Sequence, residues 1–352
     1  MKTKILDLSS DDIGSLKSDE ILELSSDLLH KGEIIAVPTE TVYGLAANAY
    51  NEYAVKKIFK AKGRPSDNPL IVHIYNNDML NDVVSEIPQS AKKLISKFWP
   101  GPLTIVFPNK KKTISDIVTA GKNTIAVRMP SHKVFREIIK KSNLPLAAPS
   151  ANYFGRPSPT SANDVSEDLN GKIPLIISSG PCHSGIESTI ISFAKPKPIL
   201  LRPGVISRED IESIIGEINI HSSILNPNSE INNPESPGMK YKHYSPRAKV
   251  VLVKFGENIE DRLSGYLKNK KIEKDKILLV HLKKQKIKKI SNIEKKVFLT
   301  ENDLARSLYS TFREADRNSI KEIIVVSVDS EGIGLGLMNR ILKASSLEIW
   351  FL

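Results

Sequence analysis

EYAVKKIFKAKGRPSDNPLIVHIY, residues 52–75, changes its apolar period part-way along. Val55, Ile58 and Phe59 recur at helical spacing, and Gly63 followed by Pro65 is a stop signal that ends the helix near Lys62. From Leu70 the residues alternate instead: Leu70, Val72 and Ile74 share one face, and Ile71, His73 and Tyr75 share the other, as in a strand. A helix that passes through a short turn into a buried strand belongs to an α/β layer structure.

Working outward, the same pattern repeats. Strand-like runs EIIAVPT (33–39), LTIVFP (103–108), TIAVRM (124–129), IPLIISS (173–179) and STIISF (188–193) are separated by helix-like segments, which predicts an α/β domain with a sizeable mixed sheet. Residues 222–247 are rich in Asn, Pro and Ser without apolar periodicity, so they read as a linker between a first domain, 1–221, and a second, 248–352. In the second, KVVLVKF, KILLVHL and EIIVVSV read as buried strands beside the amphipathic run NDLARSLYSTFREADRN, giving a smaller α/β/α, Rossmann-like unit. The chain of 352 residues is long enough for two cores.

Composition narrows the class. No segment approaches the roughly 20 uninterrupted apolar residues of a membrane span, and the N-terminal stretch lacks the apolar core of a signal peptide, so the expected compartment is the cytoplasm and no membrane partner is expected. A single cysteine, Cys182, excludes an internal disulfide framework, and no histidine pair stands at metal spacing, so no metal ligands are assigned. The formal charge of +11 favours anionic partners, among them nucleotides, phosphates and RNA, although a Lys-rich solvated face of the second domain explains the same number.

Within the opening stretch, Lys62, Arg64, Ser66 and Asn68 fall at every second position. Pro65 and Asn68-Pro69 push the chain toward extended geometry, which would place all four on one polar edge. Two cations with a hydroxyl and an amide suit a polyanion such as a triphosphate, while a solvated loop accounts for the same residues. His73, taken alone, is a satisfied histidine at the edge of a core.

Polar groups punctuate other strands similarly: Thr39-Glu40-Thr41 after IIAV, Arg128 after Ile125-Ala126-Val127, Ser150 and Asn152 after the small residues Ala147 and Ala148, Ser188-Thr189 opening a strand and Arg202 closing one. Their repetition in one domain points to a ligand site, since α/β sites gather at strand ends. No G-x-x-x-x-G-K-[ST] run is present, so a nucleotide would not sit on a P-loop. In EGIGLGLMNR, Leu337 stands where a dinucleotide fingerprint needs its third glycine, so this segment reads as a tight turn entering a packed helix.

The ordered set K-G-R-P-S-D-N-P-L, P-T-E-T-V-Y-G-L, F-W-P-G-P-L-T, V-R-M-P, P-S-A-N, S-T-I and L-R-P-G, spanning roughly Ile21 to Ile215, resembles the YrdC-like domain of the L-threonylcarbamoyladenylate synthases. S-P-G-M-K-Y-K-H-Y-S-P and G-L-G-L-M-N-R-I-L-K-A resemble the two-domain form of that family. The resemblance implies a twisted mixed-sheet domain with a concave basic cavity. It also implies an enzyme, a nucleotidyltransferase, that makes threonylcarbamoyl-AMP and pyrophosphate from L-threonine, bicarbonate or CO2, and ATP as substrate. The product would serve N6-threonylcarbamoyladenosine formation at position 37 of tRNA through a downstream threonylcarbamoyl transferase. Mg2+ would be bound through the phosphates.

Carried onto this sequence, the resemblance implies catalytic roles for Lys62 and Arg64 and nucleotide contacts from Arg64, Ser66, Asn68, Thr124, Ser150, Asn152 and Arg202, with Gly238 and Tyr241 in the linker. It implies threonine contacts from Thr41, His73, Arg128, Ala148 and Ser188. A different class, an RNA-binding module that holds a phosphate backbone without chemistry, has the charge in its favour. Against it stand the 6% aromatic residues, few for a stacking platform. A third possibility is that the second domain, which carries no recognisable chemistry, is a regulatory or docking unit for the transferase.

Overall fold

Helix Glu52–Lys62 starts under the Asn51 side chain, which accepts from the Ala54 N–H, and stops at Gly63 in the left-handed conformation, φ 62°. The computed structural model describes residues 2–110, 113–225, 244–268, 272–288, 290, 293–345 and 349–350, and the statements below concern those residues. After Gly63 the chain does not extend. Ser66 to Asn68 form a turn, the conformation that Pro, Ser, Asp and Asn jointly favour, and the strand begins only at Ile71.

The first sheet collects β1 (Lys4–Asp7), β2 (Ile35–Val37), β3 (Gly44–Asn48), β4 (Ile71–His73), β5 (Leu103–Pro108), β6 (Thr124–Arg128), β7 (Leu146–Ala147), β8 (Leu175–Ser178), β9 (Thr189–Ser192), β10 (Ile199–Arg202) and β11 (Asn219–Ile220). Their spatial order is β1-β8-β2-β3-β7-β4-β6-β5-β9-β10-β11. The sheet is mixed, as expected: β4 runs parallel to β6 and antiparallel to β7, while β5 is antiparallel to β6 and parallel to β9. Val72 and Ile74 enter the main apolar cluster with Phe135 and Ile138, whereas Ile71 joins Val106, Ala126, Ile190 and Leu201 in a small second cluster. The alternation read from the sequence therefore sets which side of β4 meets the core. Strands β1, β3 and β11 were not anticipated. Gly44–Asn48, GLAAN, has little intrinsic strand preference and is held as β3 by pairing with β2 and β7.

The second sheet contains β12 (Lys249–Val253), β13 (Ile277–Leu282), β14 (Glu294–Phe298), β15 (Glu322–Val326) and β16 (Ile349–Trp350), in the order β14-β13-β15-β12-β16, with every described pairing parallel. Val250, Leu252, Leu278 and Val280 pack toward helices Glu301–Arg317 and Ile333–Ala344, and Val251, Val253, Ile277 and Leu279 pack toward helix Ile259–Lys268. Burial on both faces explains the uninterrupted apolar runs of its central strands. The layers are those of a Rossmann-like unit, but the strand order is not that of the dinucleotide-binding fold. EGIGLGLMNR enters helix Ile333–Ala344 through Gly332, φ 56°, and a Cβ at Gly334 would fall 1.9 Å from the Asp329 carbonyl oxygen, so these glycines serve backbone packing.

The two sheets share apolar packing, for Val42 and Ile186 belong to the cluster of the second. Helix Ile333–Ala344 lies on the turn after β10: a Cβ at Gly336 would sit 2.9 Å from the Gly204 carbonyl oxygen. From helix Glu301–Arg317, the buried Arg313 donates through Nη2 to Asp168 Oδ2 at 2.8 Å and to the Pro157 carbonyl at 2.6 Å. No described helix is long and apolar enough to cross a membrane.

Candidate active site

The turn Pro38–Thr41 after β2 is organised by Thr39, whose Oγ1 accepts from the Thr41 and Val42 N–H groups and donates to the Val42 carbonyl at 2.6 Å. This aims Thr41 at the end of β6. There Arg128 donates from Nη1 to Thr41 Oγ1 at 3.1 Å and from Nε to the Gly101 carbonyl at 3.3 Å, and its Nη2 lies 2.8 Å from Glu40 Oε1. Burial pushes the Glu40 carboxyl upward, but the Arg128 guanidinium outweighs it and holds the group below its ordinary range. Across the parallel register His73 stands opposite Arg128. Its Nδ1 is buried without a hydrogen-bond partner, and burial with the nearby Arg128 charge lowers its pKa to about 3. The imidazole is therefore neutral at physiological pH.

The facing wall comes from the segment after β7. Ala148 donates its N–H to the Ile71 carbonyl, Leu45 to Pro149, and Ala151 to Tyr43, so residues 148–151 are stitched across strand ends. Lys62, the last residue of its helix, donates through Nζ to the carbonyls of Ser150 at 2.5 Å and Asn152 at 2.6 Å, with Asn152 Oδ1 at 3.5 Å. Ser150 Oγ donates to Asn152 Oδ1 at 2.5 Å. Burial and then the neighbouring Arg64 push the Lys62 pKa well down.

The third wall is β9 with β10. Ser188 shares a 2.8 Å hydrogen bond with Thr104, and Arg202 donates to the Ser188 carbonyl through Nε at 3.1 Å and Nη2 at 2.9 Å, and to Ser188 Oγ at 3.1 Å.

These walls enclose a cleft of about 710 Å³, counting its open mouth, lined by Thr41, Lys62, Arg64, His73, Arg128, Ala148, Ser150, Asn152, Ser188 and Arg202, among others. Four cationic side chains line it at low exposure: Lys62 1%, Arg64 9%, Arg128 4% and Arg202 5%. The carboxylate on its wall, Glu187, is committed elsewhere. It accepts from Ser158 at 2.7 Å, from Tyr309 at 2.9 and 3.1 Å and from Arg340 at 2.9 Å. The cleft is thus a positively charged recess suited to an anion.

The family model described as "Telomere recombination", which groups Sua5, YciO and YrdC proteins, matches residues 27–204, and the model described as "Threonylcarbamoyl-AMP synthase, C-terminal domain" matches residues 206–346. The threonylcarbamoyl-AMP synthase of Bacillus subtilis is 42% identical over 348 residues, 98% of either chain. The chain belongs to the threonylcarbamoyl-AMP synthase family. The synthase of Schizosaccharomyces pombe is 40% identical, covering 93% of this chain and 88% of the relative. The crystal structure of Pyrococcus abyssi Sua5 complexed with L-threonine superposes with a TM-score of 0.90 at 39% identity, covering 99% of both chains.

In this synthase family member, three residues expected at the site lie off the cleft walls. Ser66 is exposed, because the turn after Pro65 breaks the alternation that would have aligned it with Lys62 and Arg64. Asn68 is fully buried behind Arg64, whose Nη2 contacts its carbonyl at 3.3 Å. Thr124 starts β6 opposite Pro108, four residues and about 13 Å of strand away from Arg128. Gly238 and Tyr241 lie outside the described residues. Tyr244, from the quoted K-Y-K-H-Y-S-P motif, lines the cleft instead and stacks on Tyr309 at 5.5 Å. Glu40 stood among the strand-end polar groups without a role of its own, and Glu187 was not anticipated; they flank residues singled out in the sequence, Thr41 and Ser188.

The His73 shift has a stability consequence. A folded pKa of about 3 against an ordinary 6.5 means the unfolded chain binds the extra proton first, so stability falls as pH drops from about 6.5 toward 3. His73→Gln should flatten the dependence of the melting temperature on pH between about 6.5 and 4.5. An unchanged slope would mean that His73 is not neutralised by its surroundings.

Proposed function

We propose that this family member forms threonylcarbamoyl-AMP and pyrophosphate from L-threonine, bicarbonate or CO2, and ATP, for tRNA N6-threonylcarbamoyladenosine formation in the cytoplasm. The observation that carries the reading is the gathering of Lys62, Arg64, Arg128 and Arg202 at low exposure around one cleft. Such a site suits an anionic ligand, and a triphosphate together with an amino-acid carboxylate fits it.

In the proposed reaction the threonine amine attacks CO2 and loses a proton to give a carbamate. A carbamate oxygen then bonds to the α-phosphorus of ATP while the bond to the β-phosphate oxygen breaks, and pyrophosphate leaves with that electron pair. Neither step needs a side-chain nucleophile; both need orientation and exclusion of water. Arg128, pre-set by Glu40 and Thr41, would take the threonine carboxylate, with His73, Ala148 and Ser188 shaping the remainder of that subsite. Neutral His73 can accept a hydrogen bond from threonine without adding charge. Lys62, Arg64, Ser150, Asn152 and Arg202 would hold the nucleotide and stabilise the departing pyrophosphate. Mg2+ carried by the phosphates would add charge neutralisation, consistent with the engagement of the Glu187 oxygens by Ser158, Tyr309 and Arg340.

The division into a catalytic unit, 1–221, a linker, 222–247, and a second unit, 248–352, belongs to the same proposal. It is supported by the first sheet ending at Ile220 and the second beginning at Lys249.

The test is pyrophosphate release with each reactant omitted in turn. Release is expected only with L-threonine, bicarbonate and ATP together. ATP consumption independent of threonine and bicarbonate would sink the reading, and salt-sensitive RNA affinity without such consumption would favour a phosphate-backbone binder.

A further inference from the structure

Glu187 is the point where the second unit reaches the cleft. It precedes Ser188, and its carboxylate is buried among donors from both units. Ser158 Oγ donates from the first at 2.7 Å; Tyr309 and Arg340 donate from the second, Arg340 Nε at 2.9 Å. Arg340 is itself wholly buried and also donates through Nη1 to the Pro203 carbonyl, beside Arg202. The Gly336–Gly204 approach, one helical turn away, sets its reach.

We propose that Arg340 is a positioning residue of the synthase site: by holding the Glu187 carboxylate from behind, it leaves Arg202 to clasp Ser188 and face the nucleotide. This rests on the reading that the cleft takes ATP. Glu187 is paired with Arg340 and also feels the charge of Arg202: burial pushes its carboxyl upward, while Arg340 and then Arg202 more than offset this. A buried carboxylate stripped of one cation turns to the other. Without Arg340, Glu187 would draw Arg202 off the Ser188 carbonyl and cancel the charge it offers to a phosphate. Tyr309, donating to both Glu187 oxygens, supports the same arrangement.

The experiment measures the dissociation constant of a non-hydrolysable ATP analogue by calorimetry on the full chain, with a thermal melt on each variant. Arg340→Met should weaken binding at least tenfold, and the double variant Glu187→Gln with Arg340→Met should return to within about threefold of the unaltered protein, because the stranded charge is gone. A role confined to holding the seam together would show no such rescue. A folded Arg340→Met protein that binds normally, or a double variant as weak as the single one, overturns the proposal. Should Arg340→Met not fold, Tyr309→Phe keeps the shape and removes the one hydroxyl donor that the Glu187 oxygens share; at least threefold weaker binding supports the proposal and unchanged binding overturns it. Failure of the unaltered protein to bind the analogue would overturn the synthase reading and this inference with it, whereas normal binding by the unaltered protein and by folded Arg340→Met overturns the inference alone.

Discussion

Replacing Arg128 with alanine is expected to lower threonine-dependent pyrophosphate release at least 100-fold, a loss of about 2.7 kcal/mol of transition-state stabilisation. Two effects combine. The charge-assisted bonds that would take the threonine carboxylate vanish, each worth about 1.5–3 kcal/mol in a desolvated site. Glu40, 9% exposed and paired to Arg128 at 2.8 Å, is also left buried without its cation. Because breaking a buried pair costs about 3–5 kcal/mol, the melting temperature should fall as well. Arg128→Ala with Glu40→Gln should regain much of that stability but not the activity, so stability and turnover measured on both variants separate the two effects. Turnover within threefold of normal in either folded variant would remove Arg128 from the threonine subsite.

The second large effect is expected from Lys62→Met. Nζ of Lys62 bonds the carbonyls of Ser150 and Asn152 and contacts Asn152 Oδ1, which matches the three donors of an ammonium group. Methionine has nearly the same length and offers no donor. The buried Asn152 carbonyl and the part-buried Ser150 carbonyl would lose their partner at about 1–3 kcal/mol each, so denaturant unfolding should report a loss of about 3 kcal/mol. Affinity for an ATP analogue should fall at least 50-fold, since the segment bearing Ser150 and Asn152 loses its tether and the cleft loses a cation. Stability lost with affinity retained would make Lys62 a structural clip alone.

What the sequence disclosed follows from the range of each signal. The period change across residues 52–75 located a helix end and the buried face of β4, because both depend on neighbours within one turn or one pleat. The same local logic failed at Ser66, where turn-forming residues outweighed the alternation expected of extended chain. Thr124 and Arg128 lie on one strand, and apolar pattern alone does not say which end of a strand opens into the cleft. Strand-end positions grouped Arg128, Ser150, Ser188 and Arg202, but adding His73 and giving each residue a role required the resemblance, for strand order brings them together from distant parts of the chain. Glu187 and Arg340 are 153 residues apart, and no periodicity links them; a carboxylate immediately before Ser188 was the available clue.

The meeting of Gly204 and Gly336 bears on how freely the two halves can be exchanged. A methyl group at Gly336 would press on the Gly204 backbone, its carbonyl oxygen 2.9 Å away, and one at Gly204 would meet the Glu187 carbonyl oxygen of its own unit at 2.5 Å, so neither position has room to give. A chimaera that joined residues 1–221 to the equivalent unit of a distant relative would fit only if the guest helix also carried a bare backbone at that crossing. The two halves are thereby matched in shape at this crossing, and drift in one is limited by the other.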